Sequence, residues 1–221
     1  FKINLPNFKE FWKKGFYEVP SMDTKKIMFE SFRNDPEKFP LKTPSGKIEI
    51  SSKNIENFKL NDCLSHPSWF EPYEWLGKIN KYPLHLISNQ PTHRLHGQLD
   101  NAYESRKSKI KDREPVLINL SDAHKRSIKN DDIVMLYNDR GKVLAGAILS
   151  EDVMPGVVVL STGAWFDPNY SLNIEMHGNP NVLTNDIGTS SLGQGPTSHT
   201  TLIEIKKANS EEIAEVMIFK R

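Results

Sequence analysis

The chain has 221 residues, and the 37% of them that are hydrophobic suffice for a real core. Its 29 basic and 28 acidic residues give a formal net charge of +1, which argues against a general nucleic-acid binder. No apolar run approaches the roughly 20 residues of a membrane-spanning helix, and a single cysteine, Cys63, excludes an internal disulfide and leaves the cellular compartment open.

The first 80 residues predict an irregular arm and linker with short helices, not a self-contained domain. Aromatic residues at helical spacing predict a helix over Phe8–Lys14, and a second amphipathic segment covers residues 25–32. A Pro-Ser-Gly turn then leads into a predicted strand over residues 47–51, where isoleucines alternate with a glutamate. Because the chain begins at Phe1 and not at a methionine, we interpret it as a fragment or a processed product.

Residues 53–81 predict an irregular segment in which aromatic residues lie beside prolines. Aromatic side chains in such a setting usually cover a neighbouring surface. The favoured interpretation is a strap packed over the domain that follows, and the alternative is that an aromatic side chain borders a ligand. The residues concerned lie in HPSWFEPYEWLG and are Trp69, Phe70, Tyr73 and Trp75.

From residue 81 to residue 221 the pattern changes to short strands. Each strand is β-branched or aliphatic and is bounded by Gly, Pro, Asn or Asp. Ser121 is the predicted N-cap of one helix, over residues 122–128, and the sequence NDRGK predicts a tight antiparallel hairpin. Six or seven strands with one or two short helices predict a mainly β fold closed into a barrel. The predicted strands are LHLIS, PVLIN, DIVMLYN, KVLAGAIL, VVVLS, TTLIEI and EVMIF.

The stretch from Glu175 to Thr201 is polar and rich in glycine but has almost no charge. It contains four glycines and five threonines, only two carboxylates, and no lysine or arginine. Side chains of this kind donate and accept hydrogen bonds, and glycine lets backbone N–H groups approach a ligand. The stretch is interpreted as the wall of a binding pocket, with a long surface loop as the alternative.

Several long motifs resemble the C-terminal dinucleotide-binding domain of the molybdopterin oxidoreductases. They are YPLHLISNQPTHRLHGQLDN, the run from EPVLINL to GAWFDP, and HGNPNVLTNDIGTSSLGQGPTSHT. Within that superfamily the chain most resembles the biotin sulfoxide, trimethylamine N-oxide and dimethyl sulfoxide reductases. The similarity continues upstream through TPSGKIEI and HPSWFEPYEWLG, and therefore covers most of the chain.

The resemblance implies a double-psi β-barrel over residues 81–221 that closes over two molybdopterin guanine dinucleotides. Residues 1–80 would then belong partly to upstream domains of the same polypeptide. In such reductases the molybdenum is bound by four dithiolene sulfurs and usually by a serine far upstream, so this chain alone is expected to hold no metal and to be inactive. The parent would reduce a small S-oxide or N-oxide by oxygen-atom transfer, in the cytoplasm or the periplasm, without nucleic acid or a membrane span.

Two alternatives stay open at this point. Double-psi barrels also serve as interaction modules without enzymatic activity, and another branch of the superfamily, such as a formate or nitrate enzyme, carries a corresponding domain. Fold cannot separate these alternatives, so the residues of the site must do so.

The resemblance implies cofactor-binding roles for two groups of residues. In the first, the amides could match the edge of a pterin, and Arg94 could bind a pyrophosphate or form an ion pair. In the second, Asn181 and Asn185 present amides, and TSSLGQG presents hydroxyls and one further amide. TSSLGQG is expected to begin a short helix that Asp186 caps; the alternative is that Asp186 accepts a hydrogen bond from the cofactor. No catalytic or metal-binding residue is assigned. The cofactor-binding residues are Ser88, Asn89, Gln90, Arg94, His96, Gln98, Asn181, Asn185, Thr189, Ser190, Gln194 and Gly195.

Three further features have two interpretations each. Trp165 either faces an active-site funnel or packs in the core. Asp131 and Asp132 look like a paired acid but are better interpreted as a turn. The basic residues of one segment predict a solvated loop, with a surface toward the missing domains as the alternative; they are Arg106, Lys107, Lys109, Lys111 and Arg113.

Overall fold

The computed structural model describes residues 4–20, 27–78 and 81–220. The chain divides into two compact units, one formed by Phe1–Asn54 with Ser65–Pro67 and the other by Ile55–Leu64 with Ser68–Arg221. Among the described residues, no helix has both the length and the apolar character needed to cross a membrane. The placement of a domain boundary after residue 80 stays a prediction.

The first helices are short and lie in the irregular N-terminal part. Helix α1 (Phe8–Lys14) is confirmed, and it begins with a capping box in which the Asn7 side chain accepts a hydrogen bond from the Glu10 N–H at 3.0 Å. Of the segment predicted over residues 25–32, residues 25 and 26 lie outside the described residues, and α2 covers Glu30–Asn34. Helix α3 follows at Lys53–Glu56.

The strand predicted over residues 47–51 is wrong. Those residues form bends and irregular backbone, and the carbonyl of Lys47 accepts the Thr43 hydroxyl at 2.6 Å in a local turn. The side chains of Ile48 and Ile50 are 73% and 83% exposed. Alternation of apolar residues produces a strand only where a neighbouring strand satisfies the backbone and covers the apolar face, and here the backbone turns on itself instead.

Within the described residues, eight strands form one sheet, and six of them close into a barrel. Around the barrel the order is β2, β5, β1, β8, β3 and β4, and β4 pairs again with β2. The β1–β5 and β2–β4 pairs are parallel and the other barrel pairs are antiparallel. The predicted mainly β, double-psi barrel is confirmed. The strands are β1 (Leu84–Ile87), β2 (Pro115–Ile118), β3 (Ile133–Tyr137), β4 (Lys142–Leu149), β5 (Val157–Leu160), β6 (Pro168–Asn169), β7 (Ile174–Glu175) and β8 (Thr201–Lys207).

Two apolar clusters hold this unit together. The first cluster fills the barrel with alternate residues of the six strands, such as Leu86, Ile118 and Ile203, which are fully buried. The second cluster lies outside the barrel, where Met135 and Leu144 pack with residues from β7 and from residues 208–220, called here the C-terminal segment. The interior is therefore a packed core, and ligand contacts must come from the loops.

Two predicted elements differ in the structure. The helix predicted to start after Ser121 is α5 (Leu120–His124), and its N-cap is Asn119, whose side chain accepts the Ser121 N–H at 2.9 Å. The seventh strand, EVMIF, is wrong. The N–H groups of Met217 and Ile218 donate to the carboxylate of Asp167, at 2.6 and 3.1 Å, so a side chain replaces the neighbouring strand. Helix α4 (Tyr103–Lys107) was not predicted.

The strand directions bring several connections to one end of the barrel, called here the loop end. Strands β1 and β5 run parallel, so both finish at this end. Strand β8 is antiparallel to β1, with Thr201 opposite Leu86, so the segment that enters β8 arrives at the same end. The predicted β3–β4 hairpin is confirmed and also turns there, since β3 is antiparallel to β8. Both predicted groups of site residues therefore lie at the loop end.

Candidate functional site

The first loop, residues 88–98, follows β1 and is held against the exit of β5. The Asn89 carbonyl accepts the Thr162 N–H at 2.9 Å, and its side-chain oxygen accepts the Ser161 hydroxyl at 2.9 Å. The Gln90 amide lies 3.2 Å from Nδ1 of His96. His96 has a φ of 49°, a left-handed conformation that a non-glycine residue adopts only where its surroundings fix it. The first loop is thus fixed at both of its ends.

Arg94 points inward from the first loop. Its side chain is 1% exposed, and Nη2 lies 3.1 Å from Oε2 of Glu114. Its Nε donates to the carbonyl of His96 at 3.1 Å, and Nη2 donates to the carbonyl of Thr162 at 3.2 Å. The ion-pair interpretation holds, but the pair is buried and not at the surface. A guanidinium so enclosed supports the loop from beneath and has no open face for a pyrophosphate.

The second loop, residues 178–196, closes on itself near its tip. Gly188 and Pro196 pair across an isolated antiparallel bridge. Inside that bridge the Thr189 N–H donates to the carbonyl of Gly195 at 2.7 Å. Gln194 has a φ of 48°, so the backbone reverses there in a left-handed conformation. The predicted residues of the tip are brought together within one closed turn.

The helix expected from TSSLGQG is wrong, because residues 191–193 form a turn. The Ser190 hydroxyl oxygen accepts a hydrogen bond from the N–H of Gly193 at 2.8 Å. The carboxylate of Asp62 accepts both the N–H and the hydroxyl of Ser191, at 2.8 and 2.9 Å. The capping role expected of Asp186 is therefore filled by Asp62, which is remote in sequence.

Glu74 anchors the base of the second loop and was not anticipated. Its carboxylate accepts two hydrogen bonds from Arg140, at 2.5 and 3.1 Å, and one from the Asn185 amide at 3.2 Å. It also accepts the N–H of Leu202 in β8 at 2.8 Å. Arg140 in turn donates to the carbonyl of Leu183 at 2.6 Å. A single carboxylate thus joins the strap, the β3–β4 hairpin and the second loop.

Most of the predicted site residues face outward. Seven are exposed, namely Asn89, Gln90, His96, Gln98, Asn181, Thr189 and Gln194. Of the remaining five, the side chain of Arg94 is buried and the other four residues are half-buried, namely Ser88, Asn185, Ser190 and Gly195. Apart from the inward-facing arginine and one histidine, these are neutral amides, hydroxyls and a glycine. Such groups hydrogen-bond to a polar heterocycle without adding charge.

Beneath the first loop lies a cluster that we call the ion-pair square, formed by Arg94, Asp100, Lys109 and Glu114. Lys109 Nζ lies 2.8 Å from a carboxylate oxygen of both Asp100 and Glu114. Arg94 contacts the same two acids, at 3.4 and 3.1 Å. All four side chains are buried. Burial opposes the ionisation of Asp100, but the hydrogen bond and charge of Lys109 outweigh it and lower the pKa of Asp100.

Two buried titratable groups lie at the start of the second loop. Burial raises the pKa of Glu175 to about 7, although four backbone N–H groups donate to it and oppose the rise. Burial and the charge of Lys109 lower the pKa of His177, whose Nδ1 lies 2.8 Å from the carbonyl of Trp165 and therefore donates to it. Its Nε2 is buried and has no hydrogen-bond partner among the described residues. The donors to Glu175 belong to Asp167, His177, Gly178 and Asn179.

The segment of basic residues is not uniformly solvated as predicted. Lys107 and Lys111 are exposed, but Lys109 belongs to the ion-pair square and Arg113 is buried beneath the C-terminal segment, where it donates to the carbonyl of Ala214. The prediction of a solvated loop is wrong for Lys109 and Arg113. Their side chains donate to buried carboxylates and to a partly buried carbonyl, and these partners replace water.

The strap differs from its favoured interpretation. Trp69 and Tyr73 are 74% and 71% exposed, so it is Glu74, and not these aromatic rings, that ties the strap to the barrel. Trp165 is half-buried, and its indole N–H donates to the carbonyl of Gly97 at 2.6 Å, which links it to the first loop.

Asp131 and Asp132 lie in the predicted turn, which is confirmed, and the carboxylate of Asp132 accepts the Lys129 N–H at 2.9 Å. Across residues 4–20, 27–78 and 81–220, no group of three or more His, Cys, Asp or Glu residues is arranged to hold a metal ion.

Comparison with known protein families identifies the barrel. Residues 84–202 match the model of the family described as "Molydopterin dinucleotide binding domain". The chain is 42% identical over 228 residues to trimethylamine-N-oxide reductase of Haemophilus influenzae, covering 100% of this chain and 28% of that protein. It is 41% identical to dimethyl sulfoxide/trimethylamine N-oxide reductase of Cereibacter sphaeroides, covering 93% of this chain and 26% of that protein.

A biotin sulfoxide reductase of Cereibacter sphaeroides is 43% identical over 204 residues, which cover 92% of this chain and 27% of that protein. The chain thus spans little more than a quarter of the length of these relatives. Among solved structures, acetylene hydratase from Pelobacter acetylenicus superposes with a TM-score of 0.63 and 16% identity over 79% of this chain and 25% of that chain. At this identity the likeness shows the fold alone.

Proposed function

The chain belongs to the molybdopterin dinucleotide-binding domain family, and from this membership we propose that it is the C-terminal cofactor-binding region of a molybdenum-dependent S-oxide or N-oxide reductase. The observation that carries the proposal is the identity of 41% to 43% across at least 92% of the chain to enzymes named as such reductases. The names of those relatives are also why oxide reduction is proposed ahead of formate or nitrate chemistry.

The residues at the loop end fit a guanine dinucleotide of molybdopterin. The ring edges of guanine and pterin are rich in neutral donors and acceptors, and side-chain amides and hydroxyls match them. The exposed side chains of the two loops are of this kind, including Asn89 and Gln90 in the first loop and Asn181 and Gln194 in the second. When bound, the molybdenum cofactor would supply the oxygen-atom transfer.

The two loops would hold the dinucleotide from two sides. In the first loop the binding residues are Ser88, Asn89, Gln90, His96 and Gln98; in the second they are Asn181, Asn185, Thr189, Ser190, Gln194 and Gly195. The left-handed backbone at His96 and Gln194 turns each loop sharply beside these groups. A direct contact between Arg94 and a pyrophosphate is not part of the proposal, because its guanidinium is enclosed by protein groups.

This chain would bind and orient the cofactor, while upstream domains of the same polypeptide supply the metal ligand and most of the substrate funnel. The chain on its own would therefore have no turnover. The small oxide substrate would be selected mainly by those other domains, because the groups assigned to the two loops are engaged with the dinucleotide.

The test is the cofactor content of the complete protein that carries this chain. The unmodified protein is expected to contain molybdenum and to release guanosine monophosphate on hydrolysis. Asn181→Ala and Gln194→Ala should lower both contents with little change in melting temperature, because both side chains are exposed. Asn57→Ala, an exposed residue of the irregular segment, is the control and should retain both. Unmodified protein free of both constituents would refute the proposal.

A further inference from the structure

The ion-pair square makes several hydrogen bonds to the backbone of the loop end. On one side, Arg94 donates to the carbonyls of His96 in the first loop and Thr162 at the exit of β5, at 3.1 and 3.2 Å. Asp100 accepts the N–H of Trp165 at 2.9 Å and the hydroxyl of Ser105 at 3.0 Å. The square therefore fixes a backbone conformation that includes the left-handed residue His96.

On its other side the square meets the start of the second loop. The N–H of Glu114 donates to the carbonyl of His177 at 2.9 Å, and Nδ1 of His177 lies 3.7 Å from Oδ2 of Asp100. Gly178 has a φ of 103°, and a side-chain carbon there would come within 2.5 Å of the Glu114 side chain. The second loop thus begins in close contact with one corner of the square.

The charges of the square balance, because two cations face two carboxylates and each cation contacts both acids. Breaking one corner would leave a buried charge without a partner, which is strongly unfavourable. Apolar residues of similar volume, by contrast, can often replace a whole buried ion cluster without loss of stability. What apolar residues could not supply is the set of directed hydrogen bonds from this cluster to the backbone of the first loop and its neighbours.

We propose that the ion-pair square positions the first loop against the second, and so sets the geometry in which the two loops grip the dinucleotide. Arg94, Asp100, Lys109 and Glu114 are positioning residues, and Arg94 acts through the His96 carbonyl without touching the ligand. This inference rests on the proposed function for the identity of the ligand. The linkage between the two loops rests on the contacts of this chain alone.

The test uses a charge-balanced double variant. Lys109→Met alone leaves one negative charge in excess in a buried site and is expected to unfold the domain. The combination Lys109→Met and Glu114→Gln removes one charge of each sign and leaves Arg94 paired with Asp100. Lys109→Arg keeps the charge and serves as the rescue variant. Lys107→Met is the matched control, because this lysine lies in the same segment but is exposed.

Two quantities are measured in the complete protein. The first is backbone amide hydrogen exchange, which in the double variant should accelerate at residues 94–98 and at 177–179 together, with the barrel strands unchanged. The second is the rate at which the cofactor is lost on dialysis, followed by the molybdenum that the protein retains and the guanosine monophosphate that it then releases on hydrolysis. This rate should rise about ten-fold, by analogy with metal sites, where removing an outer-shell partner of a ligand costs about 10- to 100-fold in affinity. In the single variant Lys109→Arg, which keeps the positive charge, both quantities should stay close to those of the unmodified protein. Lys107→Met should not change them.

Unchanged exchange in either loop of the folded double variant would overturn the positioning role. Uniformly faster exchange across the strands would also overturn it, since that result means a general loss of stability. If the unmodified protein contains neither molybdenum nor guanosine monophosphate, the proposed function fails, while the exchange experiment still decides whether the square couples the loops.

Discussion

Replacing Glu74 by alanine is expected to weaken the domain far more than its place in an irregular strap suggests. The substitution removes the acceptor for Arg140, for the Asn185 amide and for the Leu202 N–H. The strap, the β3–β4 hairpin and the base of the second loop would lose their common anchor. Glu71→Ala is the matched control, because its carboxylate is 50% exposed and lies 3.7 Å from Lys78.

The magnitude follows from the burial of the pair. Losing one partner of a fully buried ion pair costs about 3 to 5 kcal/mol, whereas an exposed pair contributes about 0 to 1 kcal/mol. The Glu74 and Arg140 side chains are 13% and 28% exposed, so the pair lies between these limits. Freed Arg140 can turn to water, but the Leu202 N–H cannot. We expect Glu74→Ala to lower the free energy of unfolding by about 2 to 3 kcal/mol, and Glu71→Ala by less than about 0.5 kcal/mol.

The assay is urea unfolding followed by far-ultraviolet circular dichroism at 25 °C. Burial opposes the ionisation of Glu74, but the Arg140 and Leu202 hydrogen bonds outweigh it and lower its pKa below 4.5. Its contribution is therefore complete above pH 4.5 and is lost as the pH falls through the lowered pKa. The difference between Glu74→Ala and the unmodified chain should shrink in acid. A difference below about 0.5 kcal/mol at pH 7, or one independent of pH, would refute this reasoning.

Two further predictions concern the barrel and its buried acid. Ile133→Ala should lower the free energy of unfolding by roughly 2 to 5 kcal/mol, because the side chain is buried in the second apolar cluster. Met154→Ala is the control, because Met154 is exposed. Equal urea midpoints for Ile133→Ala and the unmodified chain would show that Ile133 is not in the core. Burial raises the pKa of Glu175 from 4.5 to about 7. The contribution of its protonated form to the free energy of unfolding is therefore complete below pH 4.5 and is lost as the pH rises to about 7. The expected change is about 3 kcal/mol. Glu175→Gln cannot ionise and should show a flatter stability over that range; parallel curves would show that Glu175 ionises normally.

The barrel could be predicted because its signals are local. Apolar alternation bounded by turn residues located the six barrel strands, and NDRGK located the hairpin between β3 and β4. The same reasoning failed at EVMIF and at residues 47–51. Those segments have strand-like composition, but the backbone of EVMIF is satisfied by the Asp167 carboxylate and residues 47–51 have no neighbouring strand in the described part of the chain. Whether a neighbouring strand exists is a property of the fold and is not contained in the segment.

The candidate site divides in the same way. The loops and their polar residues follow from composition and from position after β1 and before β8. Their supports do not, because they join residues remote in sequence. Glu74 reaches Leu202, and Asp62 reaches Ser191. Lys109 is buried because it pairs with two acids, whereas Lys107 and Lys111 in the same segment are exposed. A charged residue gives no local sign of whether its partner is solvent or a distant carboxylate.

The most direct test of the cofactor-binding role is hydrogen exchange in the complete protein with its cofactor and after the cofactor has been removed. Molybdenum and guanosine monophosphate contents would establish the state of each sample. The proposed role predicts that the bound cofactor slows exchange chiefly at residues 88–98 and 178–196, with little change in the barrel strands. Equal exchange of both loops in the two samples, with the cofactor shown to be present in one of them, would contradict it.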